Sequence, residues 1–407
     1  MITSNLIQFG KRHASLQANA LVASLLTAVC VTAISAQPAA PERHPLMHLN
    51  LDQMTRMKAD HLKAQPMQAA PEVTVTPPNF PPSLSLLPYL PYIPAQRDQG
   101  QCGDCWAWAG TGVMEIAHNM ANGVASRLSV QLLNSCNPYV NCCDGGWLNN
   151  VAQFYSYQGF AVPWNNTNAA WTSGDGFCGT ACGSIASAPQ FPIASASVAT
   201  VPTWGVGQAQ AIANIKTALN QNMAIWFGFF MPYTNFVAFD DYWDGQNESA
   251  QWTNFDPGQM STDSDPIEGH AVLCVGYDDT DPAGPTWIMV NSWGTTPDRT
   301  NGIFHVSQNI NYDGTYISGG YEWYQIYWET LNIQFAPQPS LQIALAGADS
   351  VVLTWPSAAA GYQLQRKTTL NAAIWSDVTT TPVLVNNQCQ VTLPKSSANS
   401  FFRLMAP

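Results

Sequence analysis

The sequence predicts an α+β fold, two packed lobes with a groove between them, followed by a small all-β module. Three observations carry this expectation. Apolar residues between about Leu84 and Gly183 recur mostly at helical spacing, those from Met223 onward lie in strand-like runs, and short alternating runs take over after Pro337-Gln338-Pro339. Helices first and strands later favour two layers segregated along the chain, and the groove between such lobes suits a ligand. At 407 residues the chain exceeds one typical domain, and its 46% hydrophobic content suffices for more than one core.

The elements follow in order. Lys11-Arg12 precede an apolar run from Ala20 to Ala36, with small residues before Ala36-Gln37. This is the pattern of a cleaved export signal, residues 1–36, and nothing later in the chain is expected to span a membrane. Residues 37–84 are rich in Pro, Gln and Ala and are expected to be a pro-segment or linker with one short helix, Leu49–Ala64. The main domain is expected over 85–335. Its helices are Cys105–Met120 closed by Asn122-Gly123, Ser129–Ser135, Trp147–Gln158 closed by Gly159, and Gln208–Asn220. Its strands are Met223–Phe230, Ala271–Gly276, Thr286–Asn291 and Gly302–Val306. The stretch 160–205, rich in Asn, Thr, Ser, Gly and Ala, reads as a loop-rich connection, and 240–265 reads as an acidic loop. Residues 337–407, with Ser350 to Trp355 and Tyr362 to Gln365 alternating, read as half-buried antiparallel strands of a sandwich.

A formal charge of -12 with 14 basic residues argues against nucleic acid as a partner. Export implies an oxidising compartment, where cysteines read as bridges. Beside Cys30 and Cys105 there are Cys102, Cys136, Cys142, Cys143, Cys178, Cys182, Cys274 and Cys389. Cys274 lies in a buried-looking strand and reads as a packing thiol, while Cys389 has no identifiable partner. Asn165-Asn166-Thr167 and Asn247-Glu248-Ser249 fit the glycosylation pattern.

The most informative run is Gln99-Gly100-Gln101-Cys102-Gly103-Asp104-Cys105-Trp106. It sets Cys105 at the start of a helix, where unpaired N–H groups and the positive end of the macrodipole favour the thiolate, the reactive form of a nucleophile. The run resembles the active-site segment of papain-like cysteine peptidases. So do Ser129-Val130-Gln131-Leu132-Leu133 with Cys136, then Cys143-Asp144-Gly145-Gly146-Trp147, then Gly269-His270-Ala271-Val272, then Asn291-Ser292-Trp293-Gly294, all in the family's order over roughly 85–335.

The resemblance implies the papain-like two-lobe fold, with a helical lobe carrying the nucleophile and a β-barrel-like lobe carrying the histidine. It implies a peptidase acting on protein or peptide substrates, here taken as a secreted endopeptidase. Cys105 would attack the carbonyl. His270 would take the thiol proton and later protonate the leaving amine, and Asn291 would orient its ring. Gln99 and the Cys105 N–H would form the oxyanion hole. Gly145 and Gly146 would let a peptide lie along their backbone, and Trp293, placed with them at the substrate site, would shield the His270–Asn291 bond from water. It pairs Cys102 with Cys143, leaving Cys136, Cys142, Cys178 and Cys182 to form two bridges of open connectivity. No cofactor or metal is implied. Residues 337–407 resemble a fibronectin-type-III-like module, which would contact a surface or polysaccharide.

The chain departs from the family in four places. His270 and Asn291 lie further from Cys105 than is usual, with 160–205 and 240–265 absorbing the surplus. Pro297 and its neighbours replace a second Trp-Gly, and a Trp usual upstream of Gln99 is missing. Residues 37–84 also lack the long helix of spaced charges found in many papain-like pro-segments, which weighs against an inhibitory role. Three other readings compete. One is a redox pair Cys102–Cys105, which would need a strand where 86–96 carries three prolines; another is a zinc site from Cys102, Cys105, Cys142 and Cys143; the third is a catalytically silent papain-like binding or adhesion protein.

Overall fold

The computed structural model describes residues 43–73, 78–91, 93–172, 178–255, 267–336, 339–369, 374–396 and 399–405. The expected signal, 1–36, lies outside them. No helix among the described residues is long and apolar enough to cross a membrane.

Six α-helices occur among these residues: α1 (Leu51–Lys63), α2 (Cys105–Asn122), α3 (Val130–Cys136), α4 (Leu148–Gln158), α5 (Gln208–Asn220) and α6 (Tyr233–Gly245). One sheet is built from β1 (Gln65–Pro66), β2 (Ser83–Ser85), β3 (Phe160–Ala161), β4 (Phe191–Thr200), β5 (Ile225–Pro232), β6 (Gln251–Trp252), β7 (Ile267–Asp278), β8 (Thr286–Val290) and β9 (Ile303–Ser307). The hairpin β10 (Thr315–Ser318) and β11 (Tyr321–Tyr324) precedes its tenth strand, β12 (Ile326–Phe335). The strand order is β1-β4-β12-β5-β7-β8-β9-β6, with β2 beside β7 and β3 beside β4.

The expected β-barrel-like closure is corrected here. The sheet stays open, because two-residue strands, β1 and β6, end it on either side and pair only inward. Two other expectations also give way. The supposed loop at 160–205 contains β4, whose backbone pairs with β12 from Ile193 to Thr200. Its Ala- and Ser-rich sequence has little strand propensity, so long-range pairing decides its state. The start of the supposed acidic loop is helical, with Asp240, Asp241 and Asp244 all on α6; Gln251 and Trp252 form β6, and 256–265 lies outside the described residues.

α2 is the central helix. Trp106, Ala109, Val113 and Ile116 are buried, as are most of its other residues, so it is packed on all sides rather than along one stripe. Gly123, at φ +60°, closes it in the left-handed conformation that glycine adopts without strain. The helix packs on β7 and β5. At this contact Gly112 leaves no room: a Cβ there would lie 2.5 Å from Leu273 Cδ2 and 2.8 Å from Arg97 Nη2.

Residues 43–73 are no loose linker. Met47, Met54 and Met57 are buried in the same core as α2. Asn50 and Gln53 cap α1 reciprocally, the capping-box arrangement that satisfies two otherwise unpaired N–H groups. α1 then ties both halves together. Asp60 accepts from Trp147 Nε1 and Asn149 Nδ2 at the start of α4, while His61 meets Glu329 on β12 at 2.6 Å.

Beyond the main core, β13 (Gln342–Leu345), β14 (Ser350–Pro356), β15 (Gln363–Lys367), β16 (Ser376–Asp377), β17 (Val383–Val385), β18 (Gln388–Pro394) and β19 (Phe401–Met405) form two antiparallel sheets. Leu353, Trp355, Leu364, Cys389 and Val391 make their shared core, separate from the first. Cys389 is buried there as a free thiol.

Gly112→Ala is expected to destabilise the main domain by about 1–3 kcal/mol through overpacking against Leu273, read as a lowered melting temperature with the fold retained by circular dichroism.

Candidate active site

Cys105 is the first residue of α2 and is wholly buried. The N–H groups of Ala271, Trp106 and Cys105 itself face its thiol and favour the anion, but burial outweighs them and pushes the thiol up to about 12. Ala271 follows His270 on β7, so the packing of α2 on β7 brings nucleophile candidate and base candidate together. His270 Nε2 donates to Asn291 Oδ1 at 2.8 Å. Its Nδ1 is buried without a hydrogen bond among the described residues and is therefore the nitrogen left to exchange a proton. Burial dominates here too and holds the imidazole down at about 3, with the Asn291 bond opposing and His44 adding to the depression. In this arrangement the pair is thiol and neutral imidazole.

Trp293 stacks on the His270 ring at 4.5 Å between centroids, and Phe229 presents an edge at 5.6 Å. Both rings thus lie against the imidazole whose Nε2 binds Asn291. Gln99 is fixed from the same segment. Its N–H donates to the Ser292 carbonyl at 2.8 Å, and its Oε1 accepts from Ser292 Oγ at 2.6 Å. Its Nε2 donates to the carbonyls of Cys102 at 2.8 Å and Pro45 at 3.2 Å. The donor expected to meet an oxyanion is thus occupied by the chain's own Pro45.

That carbonyl belongs to a strap, residues 43–50, laid across the site. Met47 N–H donates to the Gly269 carbonyl at 2.8 Å and Gly269 N–H to Met47 at 3.1 Å, an antiparallel bridge beside His270. His44 stacks face to face on Trp293 at 4.5 Å. Gly145, at φ +101°, faces Met47 so closely that a Cβ there would lie 2.8 Å from Met47 Cβ, and one on Gly146 would meet the Trp106 ring at 2.8 Å. Both glycines therefore line the strap or its floor. The backbone pairing, however, is made by Gly269, which the sequence reading did not single out.

Three bridges join the cysteines: Cys102–Cys143, Cys136–Cys182 and Cys142–Cys178. The first anchors the Gln99–Cys105 loop to the Gly145-Gly146 segment. With Cys102 so engaged, Cys105 and Cys274 remain free thiols of the main domain, both buried. Among the described residues no group of His, Cys, Asp and Glu could hold a metal ion.

Sequence reasoning missed Asp104, Ser292, His44 and Glu268. Asp104 could have been found from its place before Cys105. It is fully buried, its Oδ1 accepts from Cys143 N–H at 3.2 Å, and burial pushes its carboxyl up to about 7. Once ionised it opposes a thiolate next door.

A helix-borne thiol, an imidazole on a facing strand and an amide orienting that imidazole define the class of cysteine hydrolases. The chain belongs to the papain family of cysteine proteases, whose model matches residues 90–319. It is 29% identical over 204 residues to the gamete and mating-type specific protein A of Dictyostelium discoideum, covering 49% of this chain and 37% of that one. To the cathepsin B-like CP3 of Giardia intestinalis it is 27% identical over 252 residues, covering 60% of this chain and 74% of the relative. The matched stretch thus spans little more than a third of the Dictyostelium protein. Among solved structures, procathepsin B S9 of Trypanosoma congolense aligns with a TM-score of 0.48 and 16% identity, over 72% of this chain and 87% of that one.

Asp104→Asn removes the neighbouring charge while keeping an acceptor for Cys143. Iodoacetamide should then alkylate Cys105 about three- to ten-fold faster above pH 7, with the difference vanishing below pH 6, where the parent chain's Asp104 is itself protonated and uncharged.

Proposed function

We propose that this chain is a secreted cysteine endopeptidase, exported by residues 1–36 and held inactive by residues 43–50 until that strap is displaced. Substrate peptide replaces the strap between Gly145-Gly146 and Gly269. Water and a substrate dipole then reach the pair that burial now keeps neutral, and the proton of Cys105 passes to His270 Nδ1. The sulfur attacks the carbonyl carbon, and the developing oxyanion accepts from Gln99 Nε2 and the Cys105 N–H. His270 returns the proton to the leaving amine. A water, deprotonated by the same nitrogen, cleaves the thioester. Asn291 holds Nε2 as the donor, so that Nδ1 carries the lone pair whenever the ring is neutral and takes and returns the proton at each step.

The observation that carries this reading is the buried imidazole of His270, tied to Asn291 through one nitrogen and left free at the other, on the strand that packs against the Cys105 end of α2. Family membership supports it. Residues 37–84 act as pro-segment, and 337–407 as a sandwich module for contact with a surface or polysaccharide.

Cys105→Ser is expected to reduce peptide cleavage by about 10⁴-fold or more, and Gln99→Ala by about 10²–10³-fold. Both are measured on a fluorogenic peptide mixture with the strap displaced. An unchanged rate in Cys105→Ser would refute the mechanism. A chain that neither reacts with an epoxide at Cys105 nor cleaves any peptide would instead favour a binding protein.

Strap release is also expected to depend on pH. The hydrogen bond from His48 to Glu268 raises the His48 pKa above 6.5, with burial opposing. A raised value means that docking is fully supported below about pH 6.5 and weakens as pH rises through the higher value. Protection of the Met47 amide against hydrogen exchange, corrected for the intrinsic rate, should fall between pH 6 and pH 8, and His48→Gln should flatten that dependence.

A further inference from the structure

Next to His270, under the strap, lies a cavity of about 270 Å³ whose two sides differ in charge. The strap contributes Arg43, His44 and His48. The body of the domain contributes Glu268, Asp240 and the rings of Tyr233 and Phe236, with no Lys or Arg of its own. Glu268 stands on β7 two residues before His270. Successive side chains alternate along a strand, so both point to the same face. It is only 7% exposed, and its Oε2 lies 2.8 Å from His48 Nδ1. Arg43 lies over the Tyr233 ring at 4.8 Å, His44 Nε2 meets Asp244 Oδ1 at 3.3 Å, and Asp240 on α6 faces both Arg43 and His44. Every side chain that the strap offers to a charged group here is basic, and every charged group of the body that receives one is acidic.

When the strap leaves, Glu268 loses its counter-charge, while Tyr233, Phe236, Val237 and Asp240 still line its side of the pocket. A carboxylate left unpaired beside apolar rings is costly, and the occupant that covers it again and restores the balance is a cation of matching reach. An arginine side chain also suits the pocket's second feature, an aromatic face at Tyr233 on which a guanidinium can lie. Aspartates on α6 extend the negative potential outward.

Resting on the peptidase reading above, we propose that Glu268, assisted by Asp240, determines substrate choice: the cleft takes peptides that present an arginine or lysine beside the scissile bond, in the pocket that His48 and Arg43 now fill. The strap holds the cleft as a pseudo-substrate of the same charge.

The test uses the whole chain with a specific protease site inserted after the exposed Asn79, cut so that the strap is free to exchange. In a peptide library, Arg or Lys at one position should be favoured at least about ten-fold in kcat/KM over Gln or Met. Glu268→Gln should bring that ratio toward one, and Asp240→Asn should lower it part of the way; the second variant covers the case in which the first does not fold. A preference for neutral side chains, or a ratio that both variants leave intact, overturns the proposal. In parallel, a labelled 41–50 peptide is displaced from the cut Cys105→Ala chain by an Arg peptide and by its Gln counterpart. Stronger displacement by the Arg peptide that requires Glu268, while the cut chain with Cys105 intact cleaves no peptide, supports the pocket and sinks the peptidase reading. Cleavage without a basic preference does the reverse.

Discussion

The contact between α2 and β7 is the constraint on which the site depends. A largely buried helix meets a largely buried strand, with Gly112 admitting Leu273 where any side chain would hold the two apart. Close packing of this kind allows little adjustment, so the helix end and the strand face are held in fixed register. Cys105 is at the end of one element and His270 in the other, and each is placed by the core rather than by a loop. The loop that does contribute, Gln99 to Asp104, is itself clamped. Ser292 binds Gln99 on one side and the Cys102–Cys143 bridge holds the other.

The electrostatics follow from the same burial. A thiol pushed up to about 12 and an imidazole held near 3 are what a sealed, poorly hydrated cleft produces, since desolvation penalises whichever member is charged. The strap does the sealing. Its backbone bridge to Gly269 and the His44 ring on Trp293 cover the pair directly, while α1 fastens it at a distance through Asp60 and His61. The resting charge state thus belongs to the covered molecule.

Much of this was legible in the sequence, and the parts that were not share a physical cause. α5 was readable to both ends, and α2 to within a turn, because apolar spacing and a terminal Gly123 are local signals. The residues His270, Asn291 and Gln99 could be named from short motifs. β4 could not be read, since Phe191–Thr200 owes its strand to β12 more than a hundred residues away. α6 was hidden by an aromatic and acidic composition that suggests a loop. The docking of 43–50 was invisible for another reason. Its main bonds are from backbone to backbone, Met47 to Gly269, and such bonds leave no mark on residue type. The barrel expectation failed on edges, because nothing in two-residue strands such as β1 and β6 announces where a sheet stops.

One arrangement has a wider meaning, the side-chain amide of Gln99. Its oxygen is pinned by Ser292 and its nitrogen already serves two carbonyls, one of them Pro45. The dipole is therefore aimed, dried and loaded before any foreign molecule arrives. In the proposed mechanism, departure of the proline carbonyl would require no reorientation of the amide, only an exchange of one acceptor oxygen for another. Under that mechanism the molecule would not need to assemble its machinery on demand, and the onset of activity would follow the departure of the covering segment.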